Sequence, residues 1–171
     1  MILLTHESLS YVLATQFLAE AMRGHLWVPR DVSGVFADAI SATVRNLPAI
    51  DLTVHVDTDN GTASVWYLAE TLIAHEGVTT AVIGNFAKSA GLIISVACQR
   101  RTCQPNTEFL YHGSPYKFGV EDDHAKAKWF ASRTTMPEEF WYDMAADGKD
   151  RVFGETEAWE WGILRDDAPE V

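Results

Sequence analysis

The sequence predicts an α/β fold in which short strands and helices alternate along the chain and build a mainly parallel sheet. Three observations support this. Apolar residues recur at helical spacing in several segments, short β-branched runs lie between those segments, and glycine or proline ends many of them. The 171 residues, 47% of them hydrophobic, suffice for one full core and are too few for two comfortable domains. Alternating elements of this kind pair in parallel through right-handed crossovers, with helices on the faces of the sheet.

The first half of the chain contains three predicted helices and two predicted strands. The helices cover residues 9–22, 32–47 and 63–75, where apolar side chains follow a helical period. The strands cover residues 26–28 and 51–57, because their length and β-branched content favour a strand. Thr-Asp-Asn-Gly at residues 58–61 is typical of a turn.

The second half completes a β-α-β-α-β-α-β series and then changes in composition. A strand at 79–83, a helix at 90–98 and a strand at 109–111 close the series. From Gly113 the chain becomes charged and aromatic, and three more helices are predicted, over residues 121–133, 137–146 and 156–161. We therefore predict a single domain with four parts: an N-terminal segment and helix (1–25), core sheet and helices (26–112), a protruding helical segment (113–149) and a C-terminal helix-strand (150–171).

Charge and composition argue against several classes of protein, including nucleic-acid-binding, membrane-spanning and disulfide-rich proteins. The net charge of −11 argues against binding to nucleic acid. No stretch approaches the roughly 18 apolar residues of a membrane span, and residues 1–4 lack the basic region of a signal peptide, so a soluble, cytoplasmic protein is expected. Cys98 and Cys103 are too few for a disulfide framework, and no Cys/His pairs stand at zinc spacing. We expect neither a metal nor a cofactor.

The segment 84–94 contains the chemically most informative residue, Ser89. Small residues flank this serine as Ala87-x-Ser89-x-Gly91, just where a buried strand gives way to an apolar helix. A hydroxyl at such a turn is held by rigid elements, and the first free N–H groups of the helix point at any oxyanion that forms beside it. The same pattern suits a small-residue turn with an N-capping serine, which is the structural alternative.

Three places in the sequence carry short motifs in a characteristic order. The first is Val-Asp-Thr-Asp-Asn-Gly at 56–61, followed by a helix, and the second combines residues 82–91 around Ser89 with Pro-Asn-Thr-Glu-Phe-Leu-Tyr-His at 105–112. The third is Asp-Arg-Val-Phe at 150–153 with Glu-Ala-Trp-Glu-Trp-Gly-Ile-Leu at 157–164. They resemble the strand, Asn-Ser-Pro-Gly-Gly and helix, the Ile-Gly-x-Ala-x-Ser-Met-Gly turn, the Pro-Asn-Ser-x-x-Met-Ile-His segment and, without a gap, the Asp-Arg-Phe-x and Glu-Ala-x-x-Tyr-Gly-Leu-Val block of a known family, the proteolytic subunit of the Clp protease (ClpP), within the crotonase-like fold. The resemblance extends from about residue 9 to residue 166.

The resemblance implies a catalytic triad and an oxyanion hole. It makes Ser89 the nucleophile, His112 the general base and Asp150 the residue that orients the imidazole. A serine hydroxyl needs a base to remove its proton, histidine has a suitable pKa, and the carboxylate fixes the tautomer. The main-chain N–H groups of Ala90 and Asn60 would form the oxyanion hole. Asn60 stands where the family has glycine, but only main-chain atoms are required there.

Each candidate has a structural alternative. His112 could be a packed or solvated histidine, and Asp150 could belong to a solvated charged surface, with Asp147 as the fallback if the register slips. Lys88 could act as the base of a Ser–Lys pair, although adjacent residues at a helix start diverge. Ser95 lies within a helix and is expected to bond the preceding turn. No role is assigned to the remaining histidines, which are His6, His25, His55, His75 and His124.

The resemblance also implies an assembly, namely a homo-oligomeric ring that takes peptide substrates from an AAA+ ATPase unfoldase. The segment that would form the family's handle is cut to about residues 119–133, and residues 1–8 are all that precedes the first helix. These departures put the stacking of two rings and the gating of substrates in doubt. Five aromatic residues of the protruding segment would either be buried between subunits or pack back onto their own domain; they are Trp129, Phe130, Phe140, Trp141 and Tyr142.

Three functions follow from the sequence. The first is a serine endopeptidase that hydrolyses peptide bonds inside a self-assembled ring. The second is a catalytically inactive ring or scaffold subunit. The third is an acyl-thioester enzyme of the crotonase fold, which is weakened because no carboxylate lies between Gly84 and Gln104.

Overall fold

A computed structural model describes residues 18–113, 120–146 and 148–166, with only the backbone of residues 120–122. Its numbered helices are α1 (Gly34–Arg45), α2 (Val65–Ile73), α3 (Ala90–Ala97), α4 (Val120–Ala131), α5 (Glu138–Ala145) and α6 (Glu155–Glu160). Its strands are β1 (His25–Val28), β2 (Asp31–Val32), β3 (Leu52–Thr58), β4 (Asn60–Gly61), β5 (Thr79–Lys88), β6 (Arg100–Cys103), β7 (Glu108–Tyr111) and β8 (Arg151–Phe153). Of the predicted helix over 9–22, residues 18–21 are helical, while residues 9–17 and the preceding segment 1–8 lie outside the described residues.

The main sheet is mostly parallel, which confirms the α/β class. Its strands follow the order β1-β3-β5-β7-β8, and β6 pairs with β5 outside this path. All these pairs are parallel except β7 with β8. Strand β5 is long enough to pair twice, with β6 along its first half and with β7 along its second half. The second half of β5 therefore leads directly into Ser89 beside the end of β7.

An irregularity in β5 brings its end into position for this pairing. Val56 of β3 pairs with Ile83, but Thr58, two residues later, pairs with Ala87, so β5 carries extra residues in between. The carboxylate of Asp57 accepts hydrogen bonds from the main-chain N–H groups of Asn85 and Phe86 at 3.1 and 3.2 Å. These bonds satisfy donors that the interrupted ladder leaves unpaired.

The core lies between the sheet and the helices, and α3 is its most buried helix. Every residue of α3 is buried, as the uniformly apolar sequence predicts. This helix packs on β3 and β5 and on α2, which in turn packs on α1. Burial on all sides fixes the orientation of the helix whose first turn follows Ser89.

Gly91 allows α3 to approach the end of β3 closely. A Cβ atom at this position would lie 2.4 Å from the main-chain oxygen of Thr58. We expect Gly91→Ala to lower the free energy of unfolding by about 1–3 kcal/mol, because the helix must move away from the strand. Gly34→Ala is the matched control, since its Cβ would meet only ordinary contacts at 3.4 Å or more. Equal urea midpoints for the two variants would contradict this prediction.

Helices α4 and α5, which lie in the predicted handle segment, pack against β7 and α2 through aromatic side chains. Phe130 and Trp141 are fully buried, and both rings contact Tyr111 of β7. Trp129 meets Trp66 of α2 edge to face, and its Nε1–H donates to Glu70 at 3.1 Å. Phe140 and Tyr142 are half-buried against the same core. The aromatic residues predicted for an oligomer contact thus pack largely within their own chain.

Several short elements were not predicted. Strands β2 and β4 pair in parallel, so half of the expected turn at 58–61 forms a small second sheet. Strand β6 follows α3 directly, and β8 adds an antiparallel edge before α6. Leu164 and Arg165 lie beyond α6, where an isolated antiparallel bridge joins Arg165 to Arg101. A strand at the C-terminal end, expected from the sequence, is therefore a single bridge within the described residues.

Among the described helices, none combines the length and the apolar character needed to cross a lipid bilayer.

Candidate active site

Ser89 occupies a strained turn between β5 and α3. Its φ is 49° and its ψ is −105°, a backbone conformation that costs a residue other than glycine about 1–3 kcal/mol. The surroundings hold it there, since its main-chain N–H donates to Leu110 of β7 at 3.1 Å and its carbonyl accepts from Ile93 of α3 at 3.2 Å. The side chain makes no capping hydrogen bond to the helix. The interpretation of Ser89 as an ordinary N-capping serine is therefore wrong.

The Ser89 hydroxyl instead contacts His112, which follows β7. The Oγ of Ser89 lies 2.7 Å from Nε2 of His112, and Nδ1 lies 2.6 Å from the carbonyl oxygen of Gly113. A carbonyl oxygen only accepts, so Nδ1 carries the proton and donates it to Gly113. Nε2 is then the acceptor for the hydroxyl of Ser89. This is the tautomer that a general base requires.

Lys126 connects His112 to helix α4. Its ammonium group donates to the main-chain oxygen of His112 at 2.5 Å and lies 4.7 Å from the centre of the Tyr111 ring. Burial lowers the pKa of Lys126 to about 8, while Asp123 nearby acts in the opposite direction. The strand end that carries the imidazole is thus fixed by a partly buried cation from another element.

The lowered pKa of Lys126 predicts a pH-dependent stability. The folded chain releases this proton near pH 8, whereas the unfolded chain keeps it up to about 10.5, so this group makes folding more favourable as the pH rises between those values. We expect the wild type to gain as much as about 3 kcal/mol of unfolding free energy relative to Lys126→Met over that range. Denaturant unfolding at both pH values measures this. Lys128→Met, an exposed change on the same helix, should leave the pH dependence unaltered; an identical profile for both variants would refute the prediction.

The two segments that would supply the predicted oxyanion hole lie next to each other. Ala90 is the first residue of α3, where a main-chain N–H has no acceptor within the helix. The loop with Asn60 and Gly61 lies against it, because a Cβ on Gly61 would come within 2.6 Å of the Ala90 side chain. The N–H of Asn60 makes a long bond of 3.4 Å to the carbonyl of Arg30, and the N–H of Gly61 donates to the Asn60 side chain at 2.9 Å. Both donors of the loop are therefore engaged within the chain.

Asp150 does not contact the imidazole in this structure. It is exposed, and its carboxylate has no hydrogen bond or ion pair to the described residues. Its position in the register is nonetheless next to His112. Strands β7 and β8 pair Tyr111 with Arg151, so one more antiparallel step sets His112 opposite Asp150. Gly113 occupies the place at Nδ1 that the sequence assigned to this carboxylate.

The other candidates take ordinary structural roles. Lys88 forms an ion pair with Glu108 of β7, which gives this cation a partner other than Ser89. The hydroxyl of Ser95 donates to the carbonyl of Gly91 at 2.8 Å, as predicted for a core serine. The fallback residue Asp147 lies outside the described residues, as does His6.

Sequence reasoning missed three groups that shape the site. They are the Gly113 carbonyl, the ammonium of Lys126 and the carboxylate of Asp57, which fixes the irregularity before Ser89. The first is a main-chain atom with no sequence signal. The other two are charged residues without a motif, and only the pairing of distant elements shows what they contact.

Within the part of the chain that the structure describes, no cluster of three or more His, Cys, Asp or Glu side chains is arranged to hold a metal ion. The sequence matches no protein-family profile and no curated protein.

Proposed function

We propose that the chain is a serine-type endopeptidase in which Ser89 attacks the peptide bond and His112 is the general base. The observation that carries this proposal is the 2.7 Å contact between Ser89 Oγ and His112 Nε2, in the tautomer set by Gly113. The strain at Ser89 supports it as well, because a structure retains such a conformation where the surroundings enforce it, and these positions cluster at active sites.

In the proposed reaction, Nε2 of His112 takes the hydroxyl proton while Oγ of Ser89 bonds to the carbonyl carbon of the substrate. The carbonyl π electrons move to oxygen, and the N–H of Ala90 is placed to stabilise that oxyanion. The imidazolium then returns the proton to the leaving amine, and an acyl-enzyme remains. Water, deprotonated by the same imidazole, releases the acid and restores the Ser89 hydroxyl.

A second donor to the oxyanion would come from Asn60. Its present bond to Arg30 is long, at 3.4 Å, so a substrate oxygen in the same region would compete with a weak acceptor. Asp150 already stands opposite His112 in the strand register, so its carboxylate would complete the triad by turning toward Nδ1. A carboxylate there would stabilise the imidazolium more strongly than the neutral carbonyl of Gly113 does.

We further propose that the chain belongs to the ClpP-like branch of the crotonase fold and assembles into a ring supplied by an AAA+ unfoldase. The support is the motif resemblance together with the described surface, which exposes large apolar side chains suited to subunit contacts. These are Leu18, Met22, Trp27, Val35, Phe36, Tyr67, Val152 and Trp159. Both cysteines are free thiols, which suits a reducing compartment such as the cytoplasm.

The second candidate is a catalytically inactive ring subunit. Two observations favour it: the N–H of Asn60 already bonds the carbonyl of Arg30, and no hydrogen bond or ion pair joins the exposed Asp150 carboxylate to the described residues. In that case Ser89 and His112 would keep their contact, but the oxyanion would gain only one donor.

Hydrolysis assays separate the candidates. We expect the purified chain to cleave fluorogenic peptides, and Ser89→Ala to abolish this cleavage. A folded protein with no peptidase activity above the Ser89→Ala background would support the inactive subunit. Hydration or hydrolysis of an acyl-thioester that survives Ser89→Ala would support the third function predicted from the sequence, the acyl-thioester enzyme.

A further inference from the structure

Two histidines of neighbouring strands, the exposed His25 and the half-buried His55, form a pair on one face of the sheet. In β1 the side chains of Leu26 and Val28 are buried, so those of His25 and Trp27 lie on the opposite, exposed face. His55 of β3 lies on that face as well, because its neighbours Val54 and Val56 are buried. Neither histidine has a role predicted from the sequence, and the proposed peptidase does not use them.

The two imidazole rings are in direct contact on this face of the sheet. Nδ1 of His25 and Nε2 of His55 are 3.2 Å apart, with ring centroids at 5.4 Å. Trp27, which pairs directly with His55 in the parallel register, stacks on the imidazole of His55 at 3.8 Å and 8° between planes. The indole thereby holds the ring of His55 in a fixed orientation toward His25.

We propose that His25 and His55 form a binding site for a divalent transition-metal ion, Cu²⁺ in preference to Ni²⁺ and Zn²⁺. Imidazole nitrogen is a preferred ligand of all three ions, and Cu²⁺ binds most tightly in the usual order of affinities. Metal–nitrogen bonds of about 2.0–2.1 Å at a tetrahedral centre place two ligand atoms about 3.3 Å apart, and at a square-planar centre about 2.9 Å apart. The observed separation of 3.2 Å lies between these values.

The same separation also suits a hydrogen bond, and the metal would replace it. One ring N–H now lies between the two nitrogens, so that ring must move its proton to its other nitrogen and present a lone pair. Both nitrogens then face the ion. Within the described residues no third His, Cys, Asp or Glu completes the group, so this part of the chain supplies two ligands.

Binding at this site would join the outermost strand of the described sheet to its neighbour. Strand β1 ends the strand order, and its only sheet partner in the described residues is β3. An ion held by one ligand from each strand stabilises the folded chain, because the unfolded chain does not hold the two rings together. The indole on His55 supplies a local signal, since bound Cu²⁺ quenches tryptophan fluorescence at short range.

Titration of the full chain with CuCl₂ at about pH 7.5, followed by calorimetry and tryptophan fluorescence, tests the proposal. We expect one ion per chain with partial quenching, and at least a tenfold weaker affinity in His25→Gln and in His55→Gln. Trp27→Phe should retain the ion and lose most of the quenching. Ni²⁺ and Zn²⁺ should bind more weakly than Cu²⁺.

Control variants distinguish this pair from other histidines. His112→Ala and His124→Gln should each bind Cu²⁺ as the wild type does. Undiminished binding in both His25→Gln and His55→Gln, or no binding to the wild type, would overturn the proposal. If His55→Gln proved unfolded by circular dichroism, the exposed His25→Gln would decide alone. Because His112→Ala removes the proposed base but not this site, the result does not depend on peptidase activity.

Discussion

Peptide hydrolysis should fall by about 10⁶-fold in Ser89→Ala and by a similar factor in His112→Ala. Neither residue works without the other, since the hydroxyl at 2.7 Å from Nε2 is activated only by transfer of its proton to that nitrogen. For the same reason the double variant should be hardly slower than either single one. Initial rates per enzyme molecule at saturating fluorogenic peptide measure all three.

Two control variants show whether the loss of activity is specific to Ser89 and His112. Ser132→Ala and His124→Gln alter exposed residues of the same types and should retain the wild-type rate. All variants should melt near the wild-type temperature, because Ser89 and His112 are only partly buried and contribute little to the core. If Ser89→Ala lowered the rate of peptide hydrolysis by less than tenfold, Ser89 would not be the nucleophile.

Asp150→Asn should lower the rate of hydrolysis by about 10⁴-fold, the factor known when the orienting carboxylate of a triad becomes an amide. The amide has no charge to stabilise the imidazolium, and through its N–H group it can also favour the wrong tautomer. The register that sets Asp150 opposite His112 is the structural basis for this expectation, although the carboxylate is exposed here. The loss should appear as a lower kcat, with KM nearly unchanged.

Asp143→Asn is the control for this second prediction, because it removes a carboxylate from an exposed position on α5. It should leave kcat unchanged. If Asp150→Asn cost less than tenfold, the carbonyl of Gly113 would be sufficient to hold the imidazole, and the enzyme would work with a Ser–His pair. The 2.6 Å contact to Gly113 would then be the working geometry.

Much of the fold could be predicted because local patterns and tertiary packing agree. Helix α3 reads as apolar on all sides and is buried on all sides, and β3 and β5 are β-branched runs in a parallel sheet. The irregularity in β5 could not be predicted, since it depends on a carboxylate from β3, and Asp57 carries no local signal for that contact. The helices after Gly113 were placed correctly. Their packing could not be predicted, because it depends on aromatic contacts with Tyr111, and the spacing of apolar residues does not show which distant residue a helix contacts.

In the candidate site, too, motifs in the sequence identify some residues but do not predict their hydrogen-bond partners. Small residues around Ser89 indicate a tight turn, and the motif resemblance points to His112, which the structure brings to the serine. The partner of Nδ1 could not be predicted, because a main-chain carbonyl is available at every residue. The hydrogen bond from the Gly61 N–H to the Asn60 side chain could not be predicted either, because several acceptors are available to that N–H.

The most direct measurement is covalent labelling of the native chain with a fluorophosphonate, which reacts only with an activated serine hydroxyl. We expect stoichiometric modification that peptide mapping by mass spectrometry assigns to Ser89, with none in Ser89→Ala and very slow modification in His112→Ala. A folded wild-type protein that stays unlabelled, or a label mapped to any other serine, would contradict this prediction.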